Sequence, residues 1–265
     1  MSYQNKVCWI TGASSGIGEA LAIELAQRGA RLILSARRVE ELKRVAIATG
    51  LPPSRVWILP LDVTDAASLP GLVTTVLTRF GRIDYLFLNA GITQRSFVSD
   101  TSFGVYRQLM EVNFFGAVAL TQAVLPTMLA QESGHFVVTS SVSGKIGVKQ
   151  RSGYCASKHA LHGFFDSLRA EVANDGLCVT LVCPGYVQTP ISRSALTAEG
   201  GIYGKLDRRQ EQGMPAEECA RRILKAVADG REEVNIGGRE LLGIYLKRFL
   251  PTLLSRILRN RKVEA

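Results

Sequence analysis

Histidine is scarce in this chain, with three in 265 residues, and two tryptophans, seven tyrosines and ten phenylalanines bring aromatic residues to only 7%. His135, His159 and His162 match no ligand spacing, so no metal centre is expected. His159 and His162 read as surface or packing residues of a helix. The five cysteines (Cys8, Cys155, Cys178, Cys183, Cys219) form no C-x-x-C pair and no disulfide framework. Cys8, Cys178 and Cys183 fall in apolar strand-like runs, where a free thiol behaves as a small hydrophobe, and Cys155 also reads as packing. This usage fits a reducing, cytoplasmic compartment. No run of 18 uncharged apolar residues occurs, which predicts no spanning helix, and the opening Met1–Lys6 holds no apolar signal-type segment. Acidic residues are in deficit, 23 against 32 Lys and Arg. Residues 239–265 hold seven Arg/Lys against two Glu, so +5 of the net +9 is local. That distribution predicts a basic tail and argues against a nucleic-acid-binding domain.

What the chain does have is 46% hydrophobic residues, enough for the core of one large α/β domain. Apolar runs alternate with helix-period segments. Strands are expected at 6–11, 31–36, 55–61, 85–88, 135–140, 177–183 and 233–236, with helices at about 39–50, 67–81, 101–130, 152–173 and 215–229. The first strand runs into Gly12-Ala13-Ser14-Ser15-Gly16-Ile17-Gly18 and then a helix carrying Ala20, Leu21, Ile23, Leu25 and Ala26. Strand, glycine turn and helix together make a pyrophosphate site, because glycines allow close backbone approach and the helix N-terminus offers free N–H groups. After the second strand, an acid would hydrogen-bond the ribose 2′-hydroxyl of NAD. Here Ala36 stands there and Arg37-Arg38 follow, which predicts NADP(H), since arginine suits a phosphate; a solvated helix start would look the same. Asp62-Val63 ends the third strand, where an acid could meet an adenine amino group or simply form a turn.

Tyr154 and Lys158 are four apart, so a helix puts phenol and ammonium on one face. A lysine cation within about 4–6 Å would pull the tyrosine pKa down and make a general acid/base. An exposed i,i+4 pair is the plain alternative.

Several motifs together give the chain a likeness. Thr11-Gly12-x-x-x-Gly16-x-Gly18, Asn89-Ala90-Gly91, the helix residue Asn113, Ser141 thirteen residues before Tyr154, Lys158, and Pro184-Gly185 followed by Thr189 occur in one order. Over residues 4–238 the chain resembles the short-chain dehydrogenase/reductase family. The resemblance implies a single doubly wound Rossmann-type α/β domain with a mainly parallel seven-stranded sheet. It further implies that Tyr154 passes a proton to or from a substrate oxygen and that Lys158 lowers the Tyr154 pKa and holds a ribose. Ser141 would hydrogen-bond the carbonyl or alcohol, and Asn113 would position a water. Gly12, Ser14, Ser15, Gly16, Ile17 and Gly18 would hold the pyrophosphate. Asn89, Ala90 and Gly91 would lie near the adenosine ribose, and Pro184, Gly185, Val187 and Thr189 near the nicotinamide.

Residues 186–214 form the expected substrate loop, mixing Ile191, Leu196, Ile202 and Leu206 with Arg193, Lys205, Arg208 and Arg209. The tail alternates Leu241, Leu242, Ile244, Tyr245, Leu246, Phe249, Leu250, Leu253, Leu254, Ile257 and Leu258 with Lys247, Arg248, Arg256, Arg259, Arg261 and Lys262, and Pro251 divides it into two helices. It suits equally an interfacial membrane helix, peripheral on the inner face of a membrane, and a pair packed on protein. The tail looks like that of the 11β-hydroxysteroid dehydrogenase-like branch, whose substrates are steroids, retinoids or other lipophilic carbonyls and alcohols and whose members often carry an N-terminal anchor. The resemblance also implies a homodimer or homotetramer through the helices at about 101–130 and 152–174. The competing expectations are a 3-oxoacyl-carrier-protein reductase and a non-catalytic NADP(H) sensor or scaffold.

Overall fold

The computed structural model describes residues 3–260; Met1, Ser2 and, in the tail, Arg261 and Lys262 lie outside the described residues. Seven strands form the sheet: β1 Val7–Thr11, β2 Arg31–Ser35, β3 Val56–Ile58, β4 Tyr85–Leu88, β5 Gly134–Thr139, β6 Leu177–Pro184 and β7 Glu233–Ile236. The helices are α1 Gly16–Gln27, α2 Val39–Ala48, α3 Leu69–Phe80, α4 Phe103–Met110, α5 Gly116–Ala130, α6 Ser152–Glu171, α7 Arg208–Glu211, α8 Ala216–Ala228, α9 Leu242–Phe249 and α10 Pro251–Asn260. The sheet order is β3-β2-β1-β4-β5-β6-β7 and every pairing is parallel. The expected doubly wound α/β domain is therefore present, with no antiparallel strand in its sheet.

A parallel sheet is buried on both faces, so its strands are continuous apolar runs. The burial of Val7–Thr11 and Tyr85–Leu88 along their whole length follows from that. One core layer packs α1 and α8 on the sheet through Leu21, Leu25, Ile223 and Val227; the other packs α3, α5 and α6 through Val76, Val124, Phe165 and Leu168. The strand order reverses between β1 and β4, and open sheets of this kind bind ligands outside the C-terminal strand ends at that point.

Four expectations need correction. β3 is three residues long rather than seven, because it lies at the sheet edge and Pro60 cannot donate to a ladder. Cys178 is exposed, whereas the other four cysteines are buried. The helix at 101–130 is not uniform: one π-helical turn, Glu111–Phe115, separates α4 from α5 and carries Asn113. Continuous through that turn, Phe103–Ala130 is also long and apolar enough to cross a membrane by length and composition, contrary to expectation. Residues 112–131 bear no charge, but Asn113 and Thr121 among them are buried inside the protein.

Candidate active site

The C-terminal ends of β1, β2, β4, β5 and β6 open on a cleft of about 680 Å³. Gly12, Ser14, Ser15, Gly16 and Ile17 line it, as do Arg37, Arg38, Asp62, Val63, Asn89, Ala90 and Gly91. Ser141, Tyr154, Lys158, Pro184, Gly185, Val187 and Thr189 complete the other end. Of the residues singled out in the sequence, Gly18 and Asn113 are not in this wall and act behind it. Gly12 has φ +66°, and a Cβ on Gly18 would run into the Gly12 carbonyl and the Asn89 amide, so the loop closes only with glycine at both positions. Thr11 braces the loop from below, its hydroxyl accepting from the Asn89 and Ala90 N–H groups at 3.0 and 3.2 Å. Asn89 Nδ2 donates to the Thr11 carbonyl at 3.3 Å, so Asn89 is a strut of the loop as well as part of the wall.

The Arg38 guanidinium donates to Ser14 and Ser15 hydroxyls at 2.9 and 3.0 Å. Arg37 is exposed at the same rim. Asp62 accepts from the Thr64 N–H and hydroxyl, which with Arg37 hold its carboxyl below the usual range. Glycine-lined backbone, a helix N-terminus and two guanidiniums in one cleft fit the pyrophosphate of a dinucleotide.

Asn113, Ser141, Tyr154 and Lys158 converge at the other end, and all four are buried. The π turn aims Asn113 inward: its Oδ1 accepts from Ile92 N at 2.8 Å, and its Nδ2 donates to Ile92 O and Ser157 Oγ, each at 2.9 Å. Lys158 Nζ donates to the Thr139 carbonyl at 2.8 Å and lies 5.9 Å from the Tyr154 ring centroid. A Cβ on Gly91 would come 3.1 Å from Asn113 Oδ1 and 3.4 Å from Lys158 Nζ. Gly91 thereby keeps a gap open between those two groups. Ser141 Oγ accepts from Ser143 N at 3.0 Å.

The electrostatics depart from the sequence reading. Burial raises the Tyr154 pKa, and the groups opposing that rise are Ser141, then Arg151 and Arg95, with Lys158 not among the principal ones. The Lys158 ammonium is itself pushed down to about 8 by burial. In the protein alone, then, Tyr154 is a protonated acid at neutral pH.

Several functional neighbours carried no local signal. Gln94, fully buried, accepts from Tyr154 N at 3.1 Å through its side-chain oxygen and so fixes the start of α6. Ser140 donates to the Lys158 carbonyl at 3.1 Å and pairs with His162 Nε2 at 3.0 Å. His162, read as a surface or packing residue, is buried and groups with Cys183 and Glu233, whose ligand atoms lie within 4.8 Å of one another. Lys145 already pairs with Glu233 at 2.5 Å, and burial holds the histidine near 4 and the thiol near 12. The cluster is thus neutral packing around a salt bridge. His159, in contrast, is exposed, with Nδ1 on the Cys155 carbonyl.

A second cavity, about 270 Å³, adjoins the first and shares Ser141, Tyr154, Gly185, Ile191 and Gln210 with it. The tail supplies much of its wall: Leu242, Gly243 and Leu246 from α9, and Leu254, Ile257 and Leu258 from α10. Leu254 packs on Val142 and Ile146 beside Ser141. Of the two readings of the tail, packing on its own domain holds for this inner face. The outer face leaves Tyr245, Phe249, Leu250 and Leu253 exposed.

Residues 6–200 match the family model described as short chain dehydrogenase. The chain is 42% identical over 267 residues to "Dehydrogenase/reductase SDR family protein 7-like" of Drosophila melanogaster, covering 98% of this chain and 81% of that protein. It is 44% identical over 252 residues to the human "Dehydrogenase/reductase SDR family member 7", covering 93% and 74%. Among solved structures, a short chain dehydrogenase/reductase from Burkholderia phymatum in complex with NAD superposes with a TM-score of 0.86 at 25% identity, covering 100% of this chain and 99% of that one.

Removing the Gln94 acceptor by Gln94→Leu should lower turnover by about 10- to 100-fold, the scale on which a small misplacement of a reacting group acts. Dinucleotide affinity, measured by fluorescence titration, should stay unchanged; equal losses in both would make Gln94 a general structural residue.

Proposed function

The chain belongs to the short-chain dehydrogenase/reductase family, and within it we propose an NADP(H)-dependent oxidoreductase that interconverts a carbonyl and an alcohol on a lipophilic substrate. One observation carries this reading: Ser141 and Tyr154 sit where the dinucleotide cleft and the tail-lined apolar cavity meet. A substrate in the second cavity would present its oxygen to both hydroxyls.

The nicotinamide cofactor supplies hydride transfer when bound. The chain's residues handle the oxygen and its proton. In the reducing direction negative charge develops on the carbonyl oxygen, and the hydroxyls of Ser141 and Tyr154 are donors that would stabilise it. Tyr154, protonated because it is buried, gives up its proton as the alcohol forms. Lys158 supplies a cation behind it, and its depressed pKa near 8 makes it ready to pass a proton onward. The gap at Gly91 between Asn113 and Lys158 suits a bridging water that would reload the site from solvent. In the oxidising direction each proton moves the other way.

The NADP(H) preference rests on Ala36, Arg37 and Arg38: no acid follows β2, and two guanidiniums reach the rim where a 2′-phosphate would lie. The Burkholderia neighbour is a complex with NAD, so this pair is the feature to test. A 3-oxoacyl-carrier-protein reductase remains the competing enzyme reading, and the apolar wall given by α9 and α10 favours a lipid-like substrate over it. A sensor or scaffold role is the non-enzymatic alternative. We further infer a homodimer or homotetramer, to which the exposed Phe103, Phe115 and Leu129 on α4–α5 would contribute, and a cytoplasmic enzyme lying peripherally on the inner face of a membrane. For the latter, the support is the outer tail face, where Tyr245, Phe249 and Leu253 stand among Lys247, Arg248 and Arg256.

With ketosteroids, retinal, quinones and acetoacetyl thioesters offered alongside NADPH or NADH, NADPH oxidation with a lipophilic carbonyl should dominate. Arg37→Asp should weaken NADPH binding by about 10-fold or more, the worth of a charged hydrogen bond, and spare NADH; equal losses would remove the cofactor assignment. Phe249→Asp should reduce pelleting with anionic vesicles while preserving turnover of soluble carbonyls. Unchanged pelleting would leave the outer tail face to a protein partner.

A further inference from the structure

We propose that Arg95, Arg151 and Thr93 form an anion seat in the tail-lined cavity, so that the preferred substrate is a lipophilic carbonyl or alcohol carrying a carboxylate or phosphate monoester. This deepens the reading above and rests on it for the assignment of the cavity to substrate.

Charge counting makes the first argument. Arg95 and Arg151 both line the cavity, and both donate to the same Asp207 oxygen, at 2.6 and 2.9 Å. The other Asp207 oxygen accepts from the Arg209 N–H. Two guanidiniums therefore share one carboxylate. Arg239 and Glu240 add one charge of each sign to the lining and cancel. The Arg95 side chain is 9% exposed and that of Arg151 19%, so solvent screens their excess positive charge less than it would at the surface. Like-charge repulsion from Arg151 adds to burial in pulling the Arg95 pKa down, as an under-neutralised pair requires.

The second argument is independent of charge. Thr93 lines the same cavity and is 3% exposed, yet its hydroxyl has no hydrogen-bond partner. A buried hydroxyl without a partner loses its interaction with water and gains nothing in return. Arg95 Nη1 also donates to the Gln94 carbonyl at 3.1 Å. An oxyanion in the cavity would accept from Thr93 and from the guanidinium N–H groups that Asp207 and that carbonyl leave over, in a planar geometry that matches carboxylate and phosphate alike. The apolar part of the wall (Val142, Ile146, Leu246, Leu254, Leu258) suits a hydrocarbon body. An anionic end and a hydrocarbon end define the ligand class.

The test uses matched ten-carbon probes on the intact protein: decanoate, decyl phosphate and decanol by calorimetry, and 9-oxodecanoate against its methyl ester by NADPH oxidation. At least one anion should bind about 10-fold or more tighter than decanol, as expected of a charge-assisted hydrogen bond, and the tighter of the two assigns the headgroup. Arg151→Gln should bring that ratio close to parity, and Thr93→Val should reduce it severalfold. A merely structural effect of either change would weaken all probes together and leave the ratio intact. Equal binding of alcohol and anions by the wild type, or a preference that survives both substitutions, would overturn the seat. Anion-selective binding without turnover of any carbonyl would keep the seat and refute the oxidoreductase reading. Turnover of acid and ester with equal kcat/KM would do the reverse.

Discussion

A lysine ammonium buried in the interior is the constraint around which this molecule is arranged. Lys158 is 4% exposed, and burial lowers its pKa from 10.5 to about 8. At 1.36 kcal/mol per unit, holding it charged costs the native state about 3 kcal/mol. The penalty applies in full below pH 8, shrinks once the native lysine gives up its proton there, and is gone above 10.5, where the unfolded chain has lost its proton too, so this group makes stability rise with pH across that window. The fold meets the cost with oriented dipoles. Thr139 at the end of β5 gives its carbonyl, and the π turn between α4 and α5 brings Asn113 to the other side of the Gly91 gap. Parallel strands ending together are what make such a convergence possible.

The tail extends the same logic to substrate. A Rossmann-type sheet alone leaves the region beyond β5 and β6 open. Here α9 and α10 fold back over Val142 and Ile146 and turn that opening into a cavity. One helical pair thus has an inner face committed to the domain and an outer face left apolar and basic.

The strands, the glycine loop and the Tyr154–Lys158 spacing were legible in the sequence because they are local: each depends on residues within a few positions of one another. The seven strands follow from apolar runs that a two-sided sheet must bury, and the order of motifs identified the family. What was not legible depends on contacts across the chain. Gln94 reaches Tyr154 over 60 positions, and Asp207 meets Arg95 over 112. The direction of the Tyr154 shift was misjudged because spacing reports proximity to Lys158 and says nothing about burial or where the ammonium points. Cys178 was placed inside by an apolar run whose alternate side chain faces out. The two readings of the tail could not be separated because the spacing gives it an apolar inner face and an outer face that is apolar and basic as well.

The measurement that tests the central claim most directly is NADPH-dependent carbonyl turnover by wild type and Tyr154→Phe, with NADPH affinity followed in parallel. The account predicts a fall in kcat of about 100-fold or more, the usual worth of a positioned general acid, with NADPH affinity essentially unchanged. Turnover kept within a few-fold of wild type would contradict it, because the proton would then have come from a group other than the one at the junction of the two cavities.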